Sequence, residues 1–264
     1  MGGDLWLHPE IFQILKYTHD LSHVAHIYLA VNNLWSKEAR LYLQQFKDKI
    51  GGVQLNIDAL EGRFDDLLFL QENKIPAGVK IVLTKQHNIK QRIKMAQRLN
   101  RLCPDLLIFV DRLCPQSLEE YKYALSLEEL KETISILGKT FKHFRSEDPL
   151  VKTLLLLNKK EATRLKDDEI GGCVIPNGGL AVYPDGKIKL CSRVSSFDTG
   201  YNIRNFDLLD YISKFGYLRE KRVRCKLCNF FPSCQGGCPA TSFAKENKFS
   251  RDLHCLLQSN QINA

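Results

Sequence analysis

Residues 225–238 read CKLCNFFPSCQGGC, which spaces four cysteines as Cys225-x2-Cys228-x5-Cys234-x3-Cys238. Cys173, Cys191 and Cys255 flank them, so residues 173–264 carry seven of the chain's nine cysteines. Thiols at this density pair as disulfides, close a zinc site or hold an iron–sulfur cluster. The opening MGGDLWLHPE has neither the basic segment nor the apolar core of a secretory leader. The chain therefore reads as cytoplasmic, where disulfides are rare. Structural zinc takes four ligands, often from two CxxC pairs, and only one such pair occurs here. A [4Fe–4S] cluster also takes four thiolates, but one of its irons can stay open or accept a different ligand. Seven sulfurs divide as four, plus three with one open position, so the count favours two iron–sulfur clusters over zinc.

The charge balance fits a thiolate site. Lys and Arg number 38 against 30 Asp and Glu, a formal net charge of +8. Arg219, Lys221, Arg222, Arg224 and Lys226 crowd beside the cysteine run, where cations offset the charge of thiolate-held metal. That accounts for the local excess without nucleic acid, and the basic-plus-aromatic pattern of single-strand binders is absent. The longest apolar run, LVKTLLLL at 150–157, is far short of the roughly 18 residues that a membrane span needs. Neither nucleic acid nor a membrane is an expected partner.

The elements that must position these sulfurs follow from the apolar periodicity. Apolar, β-rich runs occur at 24–31, 52–57, 78–83 and 105–110, and helical patterns at 36–49, 64–72 and 88–101 lie between them. Continuous apolar strands alternating with helices predict parallel βα units buried on both faces, closing into a barrel or part of one. The fold class is α/β. Residues 116–144 read as helical throughout, and 145–172 as a linker with one apolar segment. GGLAVYPDGKIKLCSR at 178–193 predicts a hairpin turning at Pro184-Asp185-Gly186. The expected organisation is a partial barrel over 1–144, a linker over 145–172 and a small cysteine-rich domain over 173–264.

The order C-x12-G-x4-C, a gap, C-x2-C-x5-C-x3-C, a gap, C covers Cys173 to Cys255 and resembles the SPASM domain. That domain is the auxiliary-cluster module at the C-terminal end of many radical S-adenosylmethionine (radical SAM) enzymes. The words YPDGKIKLC and PSCQGGCPA are similar to its hairpin and knuckle. The resemblance implies two [4Fe–4S] clusters. One would be held by Cys225, Cys228, Cys234 and Cys255, the other by Cys173, Cys191 and Cys238 with an iron open to substrate or water. In the first half, Gly2-Gly3-Asp4 is similar to the GGE motif that contacts S-adenosylmethionine in this family, with Asp4 one methylene shorter. AVNN at 30–33 and LNIDAL at 55–60 look like two of its strand ends, and Asp58 and Glu61 are then candidate ribose contacts, against a solvated loop. The cofactor-binding set implied is Gly2, Gly3, Asp4 and Asp58.

The family's SAM-cleaving motif, CxxxCxxC, precedes GGE and occurs nowhere in these residues. A glycine pair directly after Met1, where a βα repeat would place the end of a strand, gives the expectation of a barrel truncated at its front. S-adenosylmethionine would then be bound only in a full-length form. The resemblance implies the class that modifies peptides or proteins by radical chemistry, its auxiliary clusters relaying electrons or anchoring substrate, with a peptide or protein substrate and an electron donor or acceptor protein as partners. The alternative is a non-catalytic two-cluster module for electron transfer or peptide binding, with a degenerate barrel.

Other candidates have plainer readings. His19, His23 and His26 do not share a helix face and read as structural. His254 adjoins Cys255 and reads as exposed, with a hydrogen bond to a cluster sulfur as the sharper alternative. Cys103 and Cys114 flank a predicted strand and read as small apolar fillers. Completion of the open cluster position by one of them stays beside that reading.

Overall fold

The computed structural model describes residues 5–32, 36–60, 64–141, 144–158, 179–194, 196–216, 225, 228–246, 252, 254 and 255. The chain divides into two compact units. One comprises Met1–Val82, Asn88–Val110 and Thr140–Arg145; the other comprises Leu83–His87, Asp111–Lys139 and Ser146–Ala264.

The first unit is a βα repeat. Helix α1 (Ile11–Asp20) precedes β1 (Ile27–Val31), followed by α2 (Lys37–Gln45), β2 (Ile50–Asn56), α3 (Asp65–Glu72), β3 (Ala77–Leu83), α4 (Ile89–Leu102), β4 (Leu107–Arg112) and the two-residue β5 (Phe144–Arg145). The sheet order is β1-β2-β3-β4-β5, and the pairings β1–β2, β2–β3 and β4–β5 are parallel. Each crossover advances one strand in the same direction, as the wall of a βα barrel does. Local signals set the helix starts. Ser36 Oγ accepts from the Ala39 amide at 3.1 Å, and Asn88 Oδ1 accepts from the Gln91 amide at 3.1 Å, each supplying an N-cap.

The strands are not buried on both faces, as their apolar runs had suggested. Ile27, Leu29 and Val31 of β1 are buried while Tyr28 is 72% exposed. In β2 and β3, buried Val53, Leu55, Val79, Ile81 and Leu83 alternate with half-buried Gln54, Asn56, Lys80 and Val82. Among the described residues, the face that carries Tyr28, Gln54, Asn56 and Lys80 is not closed by apolar packing. Gly78 is required on steric grounds, since a Cβ there would lie 2.6 Å from Phe109 Cε2 and 3.2 Å from the Leu107 carbonyl oxygen.

The second unit is mainly helical among its described residues. It holds α5 (Leu127–Thr140, up to Lys139), α6 (Pro149–Asn158), the hairpin β6 (Ala181–Val182) and β7 (Ile188–Lys189), α7 (Leu208–Phe215), α8 (Phe231–Cys234) and α9 (Pro239–Glu246). The helical reading of 116–144 is corrected. A 3-10 turn covers Glu119–Tyr123 and α5 starts afresh at Leu127. A capping box causes the break: the Ser126 amide donates to Glu129 Oε2 at 2.6 Å, and the Glu129 amide donates to Ser126 Oγ at 3.2 Å. The apolar segment of 145–172 is α6. The hairpin turns where expected, with Gly186 at φ +79° and the Lys187 amide donating to Asp185 Oδ1 at 3.0 Å. Ile188, Leu190, Tyr201, Tyr211 and Phe215 form its apolar cluster, against which Cys191 packs. Among the described residues no helix is long and apolar enough to cross a membrane.

Candidate metal centre

The site in the second unit begins where β4 ends. Asp111 and Arg112 follow the apolar run LLIFV, yet both are buried, as is Cys114 two residues on. A strand end carrying two buried charges needs partners of opposite sign, and they come from distant segments. Asp111 Oδ1 accepts from Ser146 Oγ and from the amides of Glu147 and Asp148, and its Oδ2 accepts from Arg193 Nη2 at 2.7 Å. Arg112 donates through Nε to Asp148 Oδ2 at 3.0 Å, and through Nη1 and Nη2 to both oxygens of Asp252. Asp148 is fully used. Its Oδ1 accepts from the Leu150 and Val151 amides in the first turn of α6, and Arg193 Nη1 also approaches its Oδ2 at 3.5 Å.

Asp252 is the pivot of the arrangement. Besides Arg112 it accepts from the Cys238 amide at 2.8 Å, its own amide donates to the Gly236 carbonyl, and its carbonyl accepts from the Cys255 amide. Gln235, Gly236 and Gly237 all have positive φ, which folds the chain back tightly between Cys234 and Cys238. Gly237 must lack a side chain, because a Cβ there would overlap the Asp252 side chain. Burial works against the ionised Asp252 carboxylate, but the charge and hydrogen bonds of the Arg112 guanidinium, with the His254 amide, hold it well below the usual carboxylate range. Burial likewise opposes the charge of Arg112 and Arg193, and the anions around each hold the guanidinium in its charged form.

His254 does not have the exposed position expected of it. Its Nδ1 lies 2.9 Å from Arg112 Nη1 and its Nε2 lies 2.9 Å from the Leu125 carbonyl oxygen. Arginine only donates, so Nδ1 accepts and the proton sits on Nε2. Both ring nitrogens are therefore engaged away from sulfur.

The sulfurs converge beside this network. Cys114 Sγ lies 3.8 Å from Cys238 Sγ and 3.7 Å from Asp148 Oδ2, and Arg193 Nη1 lies 3.6 Å from Cys114 Sγ. Cys114, Val194, Cys238 and Ala240 form one buried cluster that Cys191 packs against. The reading of Cys114 as an apolar filler is thus corrected, since its neighbours are a thiol, a carboxylate and a guanidinium. Cys103 does read as a filler: it is buried in the first unit and its thiol donates to Gln71 Oε1 at 3.2 Å. Donation from the Cys114 thiol, with help from Arg193 and Arg112 against burial, brings the Cys238 thiol down. Burial pushes the Cys191 thiol up.

Two cysteines share one local device. The Arg193 amide donates to Cys191 Sγ at 3.3 Å, and the Phe230 amide donates to Cys228 Sγ at 3.4 Å. An amide two residues after a cysteine, aimed at its sulfur, is the kind of hydrogen bond that tunes a metal-held sulfur. Around Cys228, its own amide donates to the Cys225 carbonyl at 2.9 Å. Cys234 is pushed up to about 12 by burial and then by the negative charge of Asp252 and, more weakly, of Cys255. Cys173, Gly2, Gly3, Asp4 and Glu61 lie outside the described residues, as do Arg219, Lys221, Arg222, Arg224 and Lys226. In the first unit, Asp58 follows β2 in a 3-10 turn and binds Arg92 through both carboxylate oxygens, Oδ1 to Nε at 2.6 Å.

The donor set suits metal held by sulfur. Thiolates select iron–sulfur clusters and other soft centres, and Asp148, the carboxylate in reach among the described residues, is occupied by two guanidiniums and a helix start. An orphan points the same way: Tyr211 is fully buried, its hydroxyl has no partner among the described residues, and burial together with the charge of Cys191 pushes it up to about 12. A buried hydroxyl beside a cysteine is provided for by a sulfur-rich group that accepts from it.

No protein-family profile matches the chain, and no curated protein is similar enough to count as a relative. Solved structures are similar in fold. Anaerobic sulfatase-maturating enzyme anSMEcpe with bound AdoMet and Cp18Cys peptide matches with a TM-score of 0.66 at 15% identity, over 99% of this chain and 80% of that one. A polyhistidine-tagged form of that enzyme with bound AdoMet matches at 0.65, also at 15% identity, over 99% and 76%. The fold is that of a partial radical SAM barrel. The radical SAM likeness agrees with the α/β expectation and with the family resemblance of the sequence, both of those neighbours being structures of a radical SAM/SPASM enzyme. The residues that the sequence did not single out are Asp111, Arg112, Asp148, Arg193 and Asp252. A signal for the first two was present, since an Asp-Arg pair closing an apolar strand demands buried partners.

Proposed function

We propose that this protein holds two [4Fe–4S] clusters and acts in peptide or protein modification of the radical SAM/SPASM type. In this reading Cys173, Cys191 and Cys238 serve one cluster, and Cys225, Cys228, Cys234 and Cys255 serve the other. Residues 173–264 form the auxiliary-cluster domain, joined through 145–172 to the barrel of 1–144. The observation that carries the reading is the packing of partly buried Cys191 against the buried cluster that holds Cys238, beside guanidiniums anchored by carboxylates. A [4Fe–4S] cluster supplies one-electron chemistry at the potential that its surroundings set.

This chain's own residues do the rest. Arg112 fixes Asp252, and Asp252 holds the Cys238 amide and the turn before Cys255. The amides of Arg193 and Phe230 donate to the sulfurs of Cys191 and Cys228 and orient them. S-adenosylmethionine is the proposed ligand of the first unit, through Gly2, Gly3, Asp4 and Asp58, on the grounds that the structural neighbours hold AdoMet. The Cp18Cys peptide bound by one neighbour supports a peptide or protein as substrate. An electron donor or acceptor protein and a cytoplasmic setting belong to the same reading.

The test is anaerobic reconstitution followed by iron, sulfide and zinc analysis. About eight irons with matching sulfide is the expected result. Zinc without sulfide, or a folded protein that takes up neither metal, overturns the proposal.

A further inference from the structure

We propose that Cys114, Cys238 and Asp148 form a binding site for a single divalent cation of the zinc(II) type, in protein that carries no cluster at Cys238. The inference goes beyond the two-cluster reading and does not need it. Sulfurs on different irons of a four-iron cube stand farther apart than the 3.8 Å between Cys114 Sγ and Cys238 Sγ, so Cys238 cannot serve a cube while it faces Cys114. The two uses of Cys238 exclude each other, and a bound ion holds the site against cluster assembly.

The spacing is that of ligands on one metal atom. Tetrahedral zinc bonds of about 2.3 Å to sulfur and about 2.1 Å to carboxylate oxygen put two sulfurs about 3.8 Å apart, and sulfur and oxygen about 3.6 Å apart. Cys114 Sγ lies 3.8 Å from Cys238 Sγ and 3.7 Å from Asp148 Oδ2, and the three donor atoms all lie within 4.8 Å of one another. All three residues are buried and belong to the second unit. The thiol proton of Cys114 faces two acceptors at once, a sulfur and a carboxylate oxygen, and a cation at their centre answers both. Charge agrees, because two thiolates and a carboxylate around a divalent ion leave a net negative charge. Arg193 Nη1, 3.6 Å from Cys114 Sγ, and Arg112 Nε, 3.0 Å from Asp148 Oδ2, offset it. A ligating carboxylate keeps hydrogen bonds of this kind, so Asp148 gives up neither Arg112 nor the α6 amides that its Oδ1 holds. The fourth position of the tetrahedron takes water. On binding, each thiol releases its proton to solvent as its metal–sulfur bond forms, and no electron moves.

The test titrates the full chain, reduced and stripped of metal under anaerobic conditions, with cobalt(II) as a spectroscopic stand-in and then with zinc(II). Cobalt bound per chain and its sulfur-to-metal charge-transfer absorption are read for wild type, Cys114→Ser, Cys238→Ser and Cys103→Ala. Each of the first two variants is expected to bind about one cobalt fewer than wild type and to lose the matching absorption. Cys103→Ala is expected to match wild type, and zinc to displace the cobalt. Hydrogen exchange of the wild-type protein with and without zinc reads the same site without any variant. Residues 112–116, in which Cys114 is the single cysteine, should become protected together with residues 236–240. The inference is overturned by wild type that binds no cobalt, by a Cys114→Ser protein that matches wild type in cobalt content and absorption, or by zinc that leaves exchange at 112–116 unchanged. Iron and sulfide analysis after reconstitution is scored separately. About eight irons alongside any of those results leaves the two-cluster reading standing without the inference. The expected cobalt result in a protein that takes up no iron and sulfide leaves the inference standing without that reading.

Discussion

The two compact units are stabilised by different means. In the first, parallel strands repeat with helices between them, and most buried positions are apolar: Leu43, Leu55, Leu70, Ile81, Leu99 and Ile108 are all at 0% exposure, beside the buried charges Asp66 and Arg92. In the second, the strands of the hairpin are two residues long, and the interior includes Asp148, Asp252, Arg112 and Cys238. Burial of hydrocarbon is non-directional and proportional to area, so the first unit tolerates changes of shape. Buried charge is favourable only when each partner is in place, so the second unit depends on a few particular atoms. The contrast teaches that where the segments around Cys114 and Cys238 meet, bonds between particular buried polar atoms locate them, which leaves those two sulfurs side by side.

The sharpest way to break the comparison is Arg112→Ala. Removing it strands Asp252 without its cation and leaves Asp148 with Arg193 alone, and breaking a buried pair in this way costs about 3–5 kcal/mol. Hydrogen exchange should rise in residues 148–157 and 231–245 while residues 50–56 and 77–83 stay protected. Equal deprotection of both sets would show that the units do not differ as described. Next in size, Ile81→Ala in β3 should cost about 2–5 kcal/mol through the cavity it leaves. Its effect on exchange should be the mirror image, concentrated in the β sheet; denaturant titration followed by exchange mass spectrometry reads both.

Smaller effects sharpen the picture. Gly237→Ala forces a side chain into a left-handed residue and against Asp252, at about 1–3 kcal/mol for the backbone alone. It should also weaken iron retention, as measured by iron release to a chelator, whereas Gly138→Ala, where a Cβ meets nothing within 4 Å, should leave retention unchanged. Smallest of all, Tyr211→Phe removes a buried hydroxyl that has no partner among the described residues. In metal-free protein its melting temperature should hold steady or rise slightly, since an unpaired buried polar group costs free energy. In reconstituted protein the same change should lower it, if the hydroxyl donates to the bound group.

Much of the first unit was legible. The apolar runs and the caps at Ser36 and Asn88 are local, and β1 to β4 and α2 to α4 fall within a few residues of their sequence-derived positions. The burial of both strand faces was misread because an apolar run does not say whether one layer of helices covers it or two. In the second unit the hairpin turn was legible from Pro184-Asp185-Gly186, but the break at Ser126 was passed over although its capping box is written in SLEE. The position of His254 was misread because its partners, Arg112 and Leu125, lie 142 and 129 residues away.

The sequence by itself determined that sulfur chemistry is concentrated in 173–264 and that an α/β repeat precedes it, because spacing and periodicity are properties of a chain read in order. It could not decide that Cys114 belongs with Cys238, or that Asp252 joins Arg112 to the turn at Gly237. Those are contacts between groups more than a hundred residues apart in the first case and between a strand end and a distant loop in the second. Their cause is that a buried charge or thiol has to find its partner in space, and only the folded chain specifies which one is there.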